Sequence, residues 1–327
     1  KINYLETISM TELYDTVYQS KPPLIDGLLY TGTYLFVGAP KLGKSFLMAQ
    51  LAYHISTGTP LWDYTVRKGT VLYLALEDDY RRLQERLYRM FGTNSTDNLF
   101  FSVSADSLGN GLDAQLQRFM QEHTDTSLII IDTLQKVREV GGDNYSYAND
   151  YEIITRLKQF ADKYGICILL VHHTRKQTAD DKFDMISGTT GLLGAADGAF
   201  LLQKEKRTSN AATLEVSGRD QQDQKLYLNR NTETLLWELE RTETELWKEP
   251  PEPLLEKIAQ LLSSGSNEWA GTPTELCSIL QLDIQPNALT RKLNINAGRL
   301  LNEYKIFYEN SRSRNERKVK LSRLEQA

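Results

Sequence analysis

The sequence predicts an α/β fold, a twisted and mainly parallel sheet with helices on both faces. Apolar strand-like runs alternate with amphipathic helical runs from about residue 34 to residue 239. The runs at 71–76, 128–131 and 166–171 are almost continuously apolar, as is typical of parallel strands buried on both faces. A glycine-rich loop at 38–45 joins a strand to a helix. These observations together indicate the α/β class.

The predicted elements follow this alternation along the chain. Residues 1–30 form a lead-in with one short helix at 11–18, and residues 31–240 form the main domain. Helices are predicted where apolar residues recur with helical spacing, at 46–56, 80–90, 113–123 and 151–164. Strands are predicted at short apolar runs, the last two as an antiparallel extension of the sheet, at 34–37, 70–76, 99–103, 128–131, 167–171, 198–203, 212–218 and 225–228.

A small second domain is predicted at the C-terminal end of the chain. Residues 241–253 are charged and rich in proline, which is typical of a linker, and residues 254–327 follow it. Pro273 and Pro286 each begin a predicted helix, where the missing N–H of proline costs nothing. The predicted order is helix, helix, helix and hairpin, which resembles a winged-helix domain; its elements lie at 254–262, from 273 onward, 286–304, 306–309 and 317–321.

The charge of the chain is distributed unevenly. The whole sequence carries a net charge of −5, yet residues 291–327 contain ten basic and four acidic residues, a net charge of +6. A basic end on an acidic protein predicts a surface for nucleic acid or another polyanion. A solvated charged surface is the alternative interpretation.

The composition is that of an ordinary globular protein, with 40% apolar and 25% charged residues. No run approaches the apolar length of a membrane helix and no signal peptide is recognised, so no membrane partner is expected. Cys167 and Cys277 lie far apart in apolar segments, which predicts buried thiols in a reducing compartment. The expected location is the cytoplasm.

The glycine-rich loop predicts a nucleoside triphosphate site. Its sequence, Gly-Ala-Pro-Lys-Leu-Gly-Lys-Ser, matches the Walker A pattern in the required context of strand, loop and helix. Backbone amides of such a loop surround the β-phosphate, and glycines permit its backbone geometry and close approach. Lys44 is expected to reach the β- and γ-phosphates, and Ser45 to coordinate Mg²⁺. The residues predicted to bind the nucleotide are Gly38, Ala39, Pro40, Lys41, Leu42, Gly43, Lys44, Ser45 and Phe46.

Two carboxylates follow buried strands and are expected near this loop. Asp132 ends the run at 128–131 in a Walker B pattern, which predicts a place beside Mg²⁺. Glu77 follows the run at 71–76 and is expected to orient the attacking water. Carboxyl ends of parallel strands share one edge of a sheet, so both side chains are predicted at the edge that holds the loop. Asp78 and Asp79 are alternatives to Glu77, with a helix-capping role expected for them.

Two histidines end another buried strand at the same predicted edge. His173 lies further from the strand than His172 and is therefore the preferred sensor of the γ-phosphate, with His172 expected to orient it. A purely structural histidine is the alternative.

Residues 24–239 resemble the RecA-type ATPases, in particular the RepA subgroup of hexameric replicative helicases within the wider DnaB class. The resemblance rests on four motifs in order: Gly-Ala-Pro-Lys-Leu-Gly-Lys-Ser, Leu-Glu-Asp, Ile-Ile-Ile-Asp-Thr-Leu and Val-His-His-Thr-Arg-Lys. It implies a RecA-like ATPase that binds ATP and Mg²⁺ and assembles as a ring, with nucleotide between subunits. It also implies that Glu77 is the catalytic base, Asp132 the Mg²⁺-linked carboxylate and His173 the sensor.

A ring implies an arginine supplied to the γ-phosphate by the neighbouring copy, a contribution of about 10³–10⁵ in rate. Arg219, at the end of the predicted strand 212–218, is preferred. Arg207, in the turn before that strand, is the alternative.

DNA contacts are expected in two regions. Single-stranded DNA is expected to meet loops facing the centre of the ring, at 135–149 and 175–190. Duplex DNA is expected to meet the basic third helix and wing of the C-terminal domain, through Asn287, Thr290, Arg291, Lys292, Arg299, Arg312, Arg314, Arg317 and Lys318.

The sequence therefore predicts an Mg²⁺-dependent ATPase that drives a replicative DNA helicase along single-stranded DNA. The main alternative retains the fold and changes the role, to a nucleotide-switched DNA-binding regulator or a recombinase-like ATPase without unwinding activity. An inactive structural adaptor is a third interpretation. The presence of Lys44, Ser45, Glu77 and Asp132 argues against it.

Overall fold

The chain forms two compact units in the computed structural model. One unit comprises residues 23–247, and the other comprises residues 1–22 together with residues 248–327. The residues described are 7–19, 21–138, 147–173, 194–204, 206, 208–219, 221–244, 252–264, 266–312 and 317–324. Among them, both cysteines are buried free thiols, and no helix has the length and apolar character needed to span a bilayer.

The larger unit is built on a nine-stranded sheet with the order β3-β2-β4-β5-β1-β6-β7-β8-β9. Neighbours from β3 to β6 are parallel, and neighbours from β6 to β9 are antiparallel. The predicted α/β class is confirmed. The strands are β1 Gly32–Gly38, β2 Thr70–Ala75, β3 Leu99–Ser102, β4 Thr126–Asp132, β5 Cys167–His173, β6 Gly198–Gln203, β7 Ala211–Gly218, β8 Gln221–Arg230 and β9 Trp237–Thr244.

The ninth strand is a feature that the sequence analysis did not assign. It pairs with β8 and continues to Thr244, into the stretch for which the sequence predicts a linker. Its polar, alternating sequence exposes most side chains after Trp237, so no continuous apolar run marks it as a strand.

Helices cover both faces of this sheet because successive strand residues face opposite sides. On one face, Leu47 and Leu83 share a core with Tyr73. On the other face, Leu116 and Leu157 share a second core with neighbouring strand residues. The helices of this unit are α2 Lys44–Thr57, α3 Tyr80–Phe91, α4 Leu112–Glu122 and α5 Tyr147–Tyr164.

The smaller unit packs short helices on a three-stranded antiparallel sheet. The sheet order is β10-β12-β11, and the core includes Leu255, Leu289 and Leu321. The elements are α1 Met10–Asp15, α6 Pro253–Ser264, β10 Glu268–Gly271, α7 Pro273–Ile279, α8 Pro286–Ile295, α9 Ala297–Tyr304, β11 Ile306–Arg312 and β12 Arg317–Arg323.

The predicted helix 286–304 is two helices in the structure. Asn296 separates α8 from α9 with a backbone at φ −95° and ψ 12°, and its side-chain amide donates to the carbonyl of Lys292. Asparagine favours such local side-chain bonds over the helical ladder.

Helix α1 packs against α8 within the smaller unit. The guanidinium of Arg291 donates to Asp15 at 3.1 Å, and the side-chain amide of Asn294 donates to the carbonyl of Tyr14 at 2.8 Å. Residues from the start of the chain therefore lie against the helix for which the sequence predicts DNA contact.

Candidate functional site

The glycine-rich loop connects β1 to α2 as predicted. Gly43 precedes α2 with φ +100°, a conformation that side chains rarely adopt. A Cβ on Gly38 would lie 2.7 Å from the carbonyl oxygen of Leu202, and one on Gly43 would lie 3.1 Å from the Trp237 ring. The sequence motif explains these glycines by the close approach of a phosphate. The structure adds a reason within the chain itself, because both positions are closely packed.

Lys44 is the buried cation of the loop. Its ammonium donates to the carbonyls of Gly38 at 2.8 Å and Ala39 at 2.9 Å, and to Nδ1 of His173 at 2.9 Å. Burial lowers the pKa of Lys44 to about 8, against the opposing effect of Asp132 and Glu77. All three partners are neutral, so this ammonium has no direct ion pair among the described residues. It is therefore suited to bind an anion brought into the loop.

Ser45 and Asp132, which the sequence predicts to bind Mg²⁺, are hydrogen-bonded to one another. The Ser45 hydroxyl donates to Oδ2 of Asp132 at 2.7 Å, and the hydroxyl of Tyr73 donates to the same oxygen at 2.9 Å. Burial raises the pKa of Asp132, while these two hydrogen bonds act in the opposite direction. A hydroxyl beside a carboxylate is an oxygen donor set that suits Mg²⁺.

Glu77 and His173 face one another at the rim of the site. Oε2 of Glu77 lies 3.9 Å from Nε2 of His173, and Thr133 donates to Oε1 of Glu77 at 3.2 Å. Because Nδ1 of His173 accepts from Lys44, the ring proton lies on Nε2, toward the glutamate. Burial and Lys44 lower the pKa of His173, which favours this neutral ring. Glu77 and His173 are both partly exposed, within reach of water.

The two acidic alternatives to Glu77 have other partners. Asp79 accepts from the backbone N–H of Arg82 at 2.8 Å and so caps α3, the role expected from the sequence. Asp78 forms an ion pair with Arg86 at 2.6 Å, with both side chains largely buried. Glu77 is therefore the one carboxylate of the three that contacts His173 among the described contacts.

Sheet register explains why these residues converge. Strand β5 lies between β1 and β4, with Gly38 level with His173 and Asp132 level with Val171. On the far side of β4, Ala75 is level with Asp132, and Glu77 follows two residues later. The register thus brings Asp132, Glu77 and His173 to the same edge of the sheet as the loop that carries Lys44.

The lowered pKa of Lys44 predicts how pH affects stability. Relative to Lys44→Met, the wild-type chain should gain about 2 kcal/mol in free energy of unfolding between about pH 7 and about pH 9.5. The folded chain loses the Lys44 proton above about pH 8, whereas the unfolded chain retains it to about pH 10.5, so stability rises through this window. Urea unfolding of both proteins at the two pH values measures the difference. A difference that is independent of pH would contradict it.

Three residues beside the loop were missed by the sequence analysis. The Trp237 indole donates to the carbonyl of Gly43 at 3.3 Å. The guanidinium carbons of Arg86 and Arg230 lie 5.1 Å and 5.3 Å from the centre of the Phe46 ring. No local motif marks these residues, because they come from α3, β8 and β9. The available signal was Phe46 itself, an aromatic residue directly after the Walker A motif.

The structure describes Arg219, the preferred arginine finger, but not the alternative, Arg207. Arg219 follows β7, and its guanidinium donates to the carbonyl of Gly194 at 2.9 Å. Arg207 lies outside the described residues. The predicted DNA loops lie mostly outside them too, at 139–146 and 174–193, while the described start of the first loop contains a short 3₁₀ turn at Leu134–Lys136.

Several basic residues of the C-terminal unit form ion pairs within the chain. Arg291 pairs with Asp15, and Lys292 approaches Glu252 at 3.4 Å. Arg299 pairs with Glu303 at 2.7 Å on α9. Of the other predicted contacts, Asn287 is exposed, Thr290 is buried, Arg317 and Lys318 lie on β12, and the side chains of Arg312 and Arg314 are outside the described part.

The fold and the site geometry define a phosphate-loop domain with a RecA-like core. The chain belongs to the AAA_25 family of AAA domains, whose profile matches residues 5–179. No curated protein matches the chain.

Two of the solved structures that are similar to the chain are helicase ATPase folds. The ATPase domain of G40P aligns with a TM-score of 0.54 and 14% identity, over 64% of this chain and 84% of that one. A DnaB-like replicative helicase, described with its interactions with primase, aligns with a TM-score of 0.55 and 14% identity. That alignment covers 67% of this chain and 62% of the helicase. The RecA-like fold that the four motifs implied is confirmed.

Proposed function

We propose that this chain is an Mg²⁺-dependent ATPase that drives a ring-shaped DNA helicase along single-stranded DNA. The observation that carries the proposal is the convergence of Lys44, Ser45, Asp132, Glu77 and His173 at one sheet edge. The similarity to DnaB-like helicase folds supports the motor role.

In the proposed reaction, Lys44 exchanges its carbonyl partners for oxygens of the β- and γ-phosphates. Ser45 and Asp132 would hold Mg²⁺, which would neutralise charge on the phosphate oxygens. Glu77 accepts a proton from water as the water oxygen bonds to the γ-phosphorus, and the bond from that phosphorus to the bridging oxygen breaks. His173, between Lys44 and Glu77, donates from Nε2 to the γ-phosphate, and this hydrogen bond is lost when the cleaved phosphate leaves.

The nucleobase is proposed to lie against Phe46 and Arg230, which are both partly exposed, while Trp237 is fully buried and packs against Arg230. The Arg230 guanidinium lies 6.0 Å from the Trp237 ring centre and 5.3 Å from that of Phe46. Aromatic and guanidinium faces both stack on bases without requiring a specific edge.

The assembly is proposed to be a hexameric ring in which Arg219, or Arg207, reaches the γ-phosphate held by the neighbouring copy. Single-stranded DNA is proposed to contact the loops at 135–149 and 175–190. The C-terminal unit, proposed as a winged helix, would contact duplex DNA.

One experiment tests the motor. Purified full chain should hydrolyse ATP faster with single-stranded DNA and should unwind a forked duplex only with hydrolysable nucleotide. Equal hydrolysis with and without DNA would contradict the motor proposal. Tighter DNA binding with a non-hydrolysable analogue, in the absence of unwinding, would instead support the nucleotide-switched regulator.

The contact between α1 and α8 predicts a variant with stronger duplex binding. Asp15→Asn should raise affinity for duplex DNA by up to about fivefold, because an exposed ion pair is worth up to about 1 kcal/mol and its loss releases Arg291. The log–log salt dependence should steepen by about 0.9, as for one further phosphate contact. Fluorescence anisotropy over a salt series measures both.

The matched control for Asp15→Asn is Asp113→Asn, which breaks the 3.0 Å pair with Arg156 in the larger unit. It removes the same charge and should leave duplex binding within about 1.5-fold, the value expected of a charge that does not pair with Arg291 at physiological salt. Equal effects of the two substitutions would show that net charge alone, and not Arg291, governs binding.

A further inference from the structure

Tyr73 is a fully buried tyrosine whose hydroxyl contacts the carboxylate of the site. It lies on β2, and its hydroxyl donates to Oδ2 of Asp132 at 2.9 Å. Ser45 donates to the same oxygen at 2.7 Å. One carboxylate oxygen therefore accepts two hydrogen bonds, one from the phosphate loop and one from inside the sheet.

The fold fixes the position of this phenol. Strand β2 pairs with β4 so that Ala75 is level with Asp132, which puts Tyr73, two residues before Ala75, on the same face of the sheet. An aromatic side chain spans that diagonal distance. The ring centre lies 5.5 Å from that of Phe101, and the side chain belongs to the core beneath α2. The hydroxyl thus points at the sheet edge from a rigid, dry position.

A buried carboxylate needs such donors. Asp132 is 7% exposed, and a charged group removed from water requires hydrogen bonds that replace its hydration. Burial raises the pKa of Tyr73 well above its usual range, so the phenol retains its proton and serves as a donor. In contrast, the hydroxyl oxygen of Ser45 would also coordinate the metal ion through a lone pair.

We propose that Tyr73 is a positioning residue of the metal site, whose hydroxyl holds Asp132 in the rotamer that faces Ser45 and a bound divalent cation. The inference rests on the proposed function, because it requires a cation bound with the nucleotide.

The test is Tyr73→Phe in the full chain, with the cation observed directly. Binding of Mn²⁺ in the presence of ADP, measured by electron paramagnetic resonance, should weaken about 10–100-fold, as for other partners of metal ligands. ADP binding in EDTA should change less than about twofold, since the phosphate loop is intact. Hydrolysis should show a higher Mg²⁺ requirement, with kcat recovering as Mg²⁺ is raised.

Tyr308→Phe is the matched control, because Tyr308 is equally buried and donates to Asn294 in the smaller unit. It should leave Mn²⁺ binding unchanged. Unaltered Mn²⁺ affinity in Tyr73→Phe would overturn the inference and leave the proposed function standing. Failure of the wild-type chain to bind Mn²⁺ with ADP would overturn the proposed function as well. Thermal unfolding without nucleotide confirms that both variants are folded.

Discussion

Glu77→Gln is expected to lower the rate of ATP hydrolysis by about 10²–10⁴-fold, the usual contribution of a general base. The substitution keeps the size of the side chain and leaves an oxygen that can accept from Thr133. It removes the carboxylate that would take the proton from water. Nucleotide affinity should therefore stay within about threefold, because Glu77 is not part of the phosphate loop. Phosphate release and binding of a fluorescent nucleotide analogue measure the two quantities.

Asp79→Asn is the matched control for this prediction. It removes the same charge two residues away, and asparagine caps helices about as well as aspartate does, so α3 should be retained. Hydrolysis by this variant should remain within about twofold of the wild type. If Glu77→Gln hydrolyses ATP at the wild-type rate, Glu77 is not the base and the proposed mechanism is wrong.

Lys44→Ala is expected to reduce hydrolysis by at least about 10²–10³-fold, the effect of removing one preorganised charge at the reacting phosphate. It should also weaken binding of the triphosphate, since the buried ammonium of Lys44 is the side-chain cation that donates to the carbonyls of the loop. Lys44→Arg should not restore activity, because the planar guanidinium cannot occupy the position of a compact ammonium. Steady-state hydrolysis and isothermal titration with ATP measure these effects.

Lys68→Ala provides the control for charge, since Lys68 is exposed on the surface of the same unit. This variant should hydrolyse ATP at close to the wild-type rate. Retained triphosphate binding and hydrolysis in Lys44→Ala would remove the basis for placing ATP in the glycine-rich loop.

Local sequence was sufficient to predict which groups meet at this edge of the sheet. Each of Lys44, Glu77, Asp132 and His173 follows a short apolar run, and runs of that kind form parallel strands. The carboxyl ends of parallel strands lie at one edge of the sheet, so the order of the strands within the sheet did not need to be known. The observed bond between Lys44 and His173 joins residues 129 positions apart.

The helix and strand boundaries that were predicted wrongly lie where hydrogen bonds of polar residues fix the backbone conformation. The strand Trp237–Thr244 has few apolar residues, and its partner β8 supplies the hydrogen bonds that order it. The break at Asn296 depends on a side-chain bond to Lys292 that helical periodicity does not reveal. The spacing of apolar residues indicates which side chains are buried, whereas this strand and this helix break are fixed by hydrogen bonds.

The RecA-like class, the phosphate loop and the carboxylates at the sheet edge were predictable because they follow from residues adjacent in the chain. The groups that support them are fixed by contacts between distant segments. Tyr73 reaches Asp132 across two strands, Trp237 contacts Gly43 from 194 positions away, and α1 packs against α8 from the other end of the chain. The physical reason is that burial and hydrogen-bond partners are set by packing between distant segments, which local patterns do not encode.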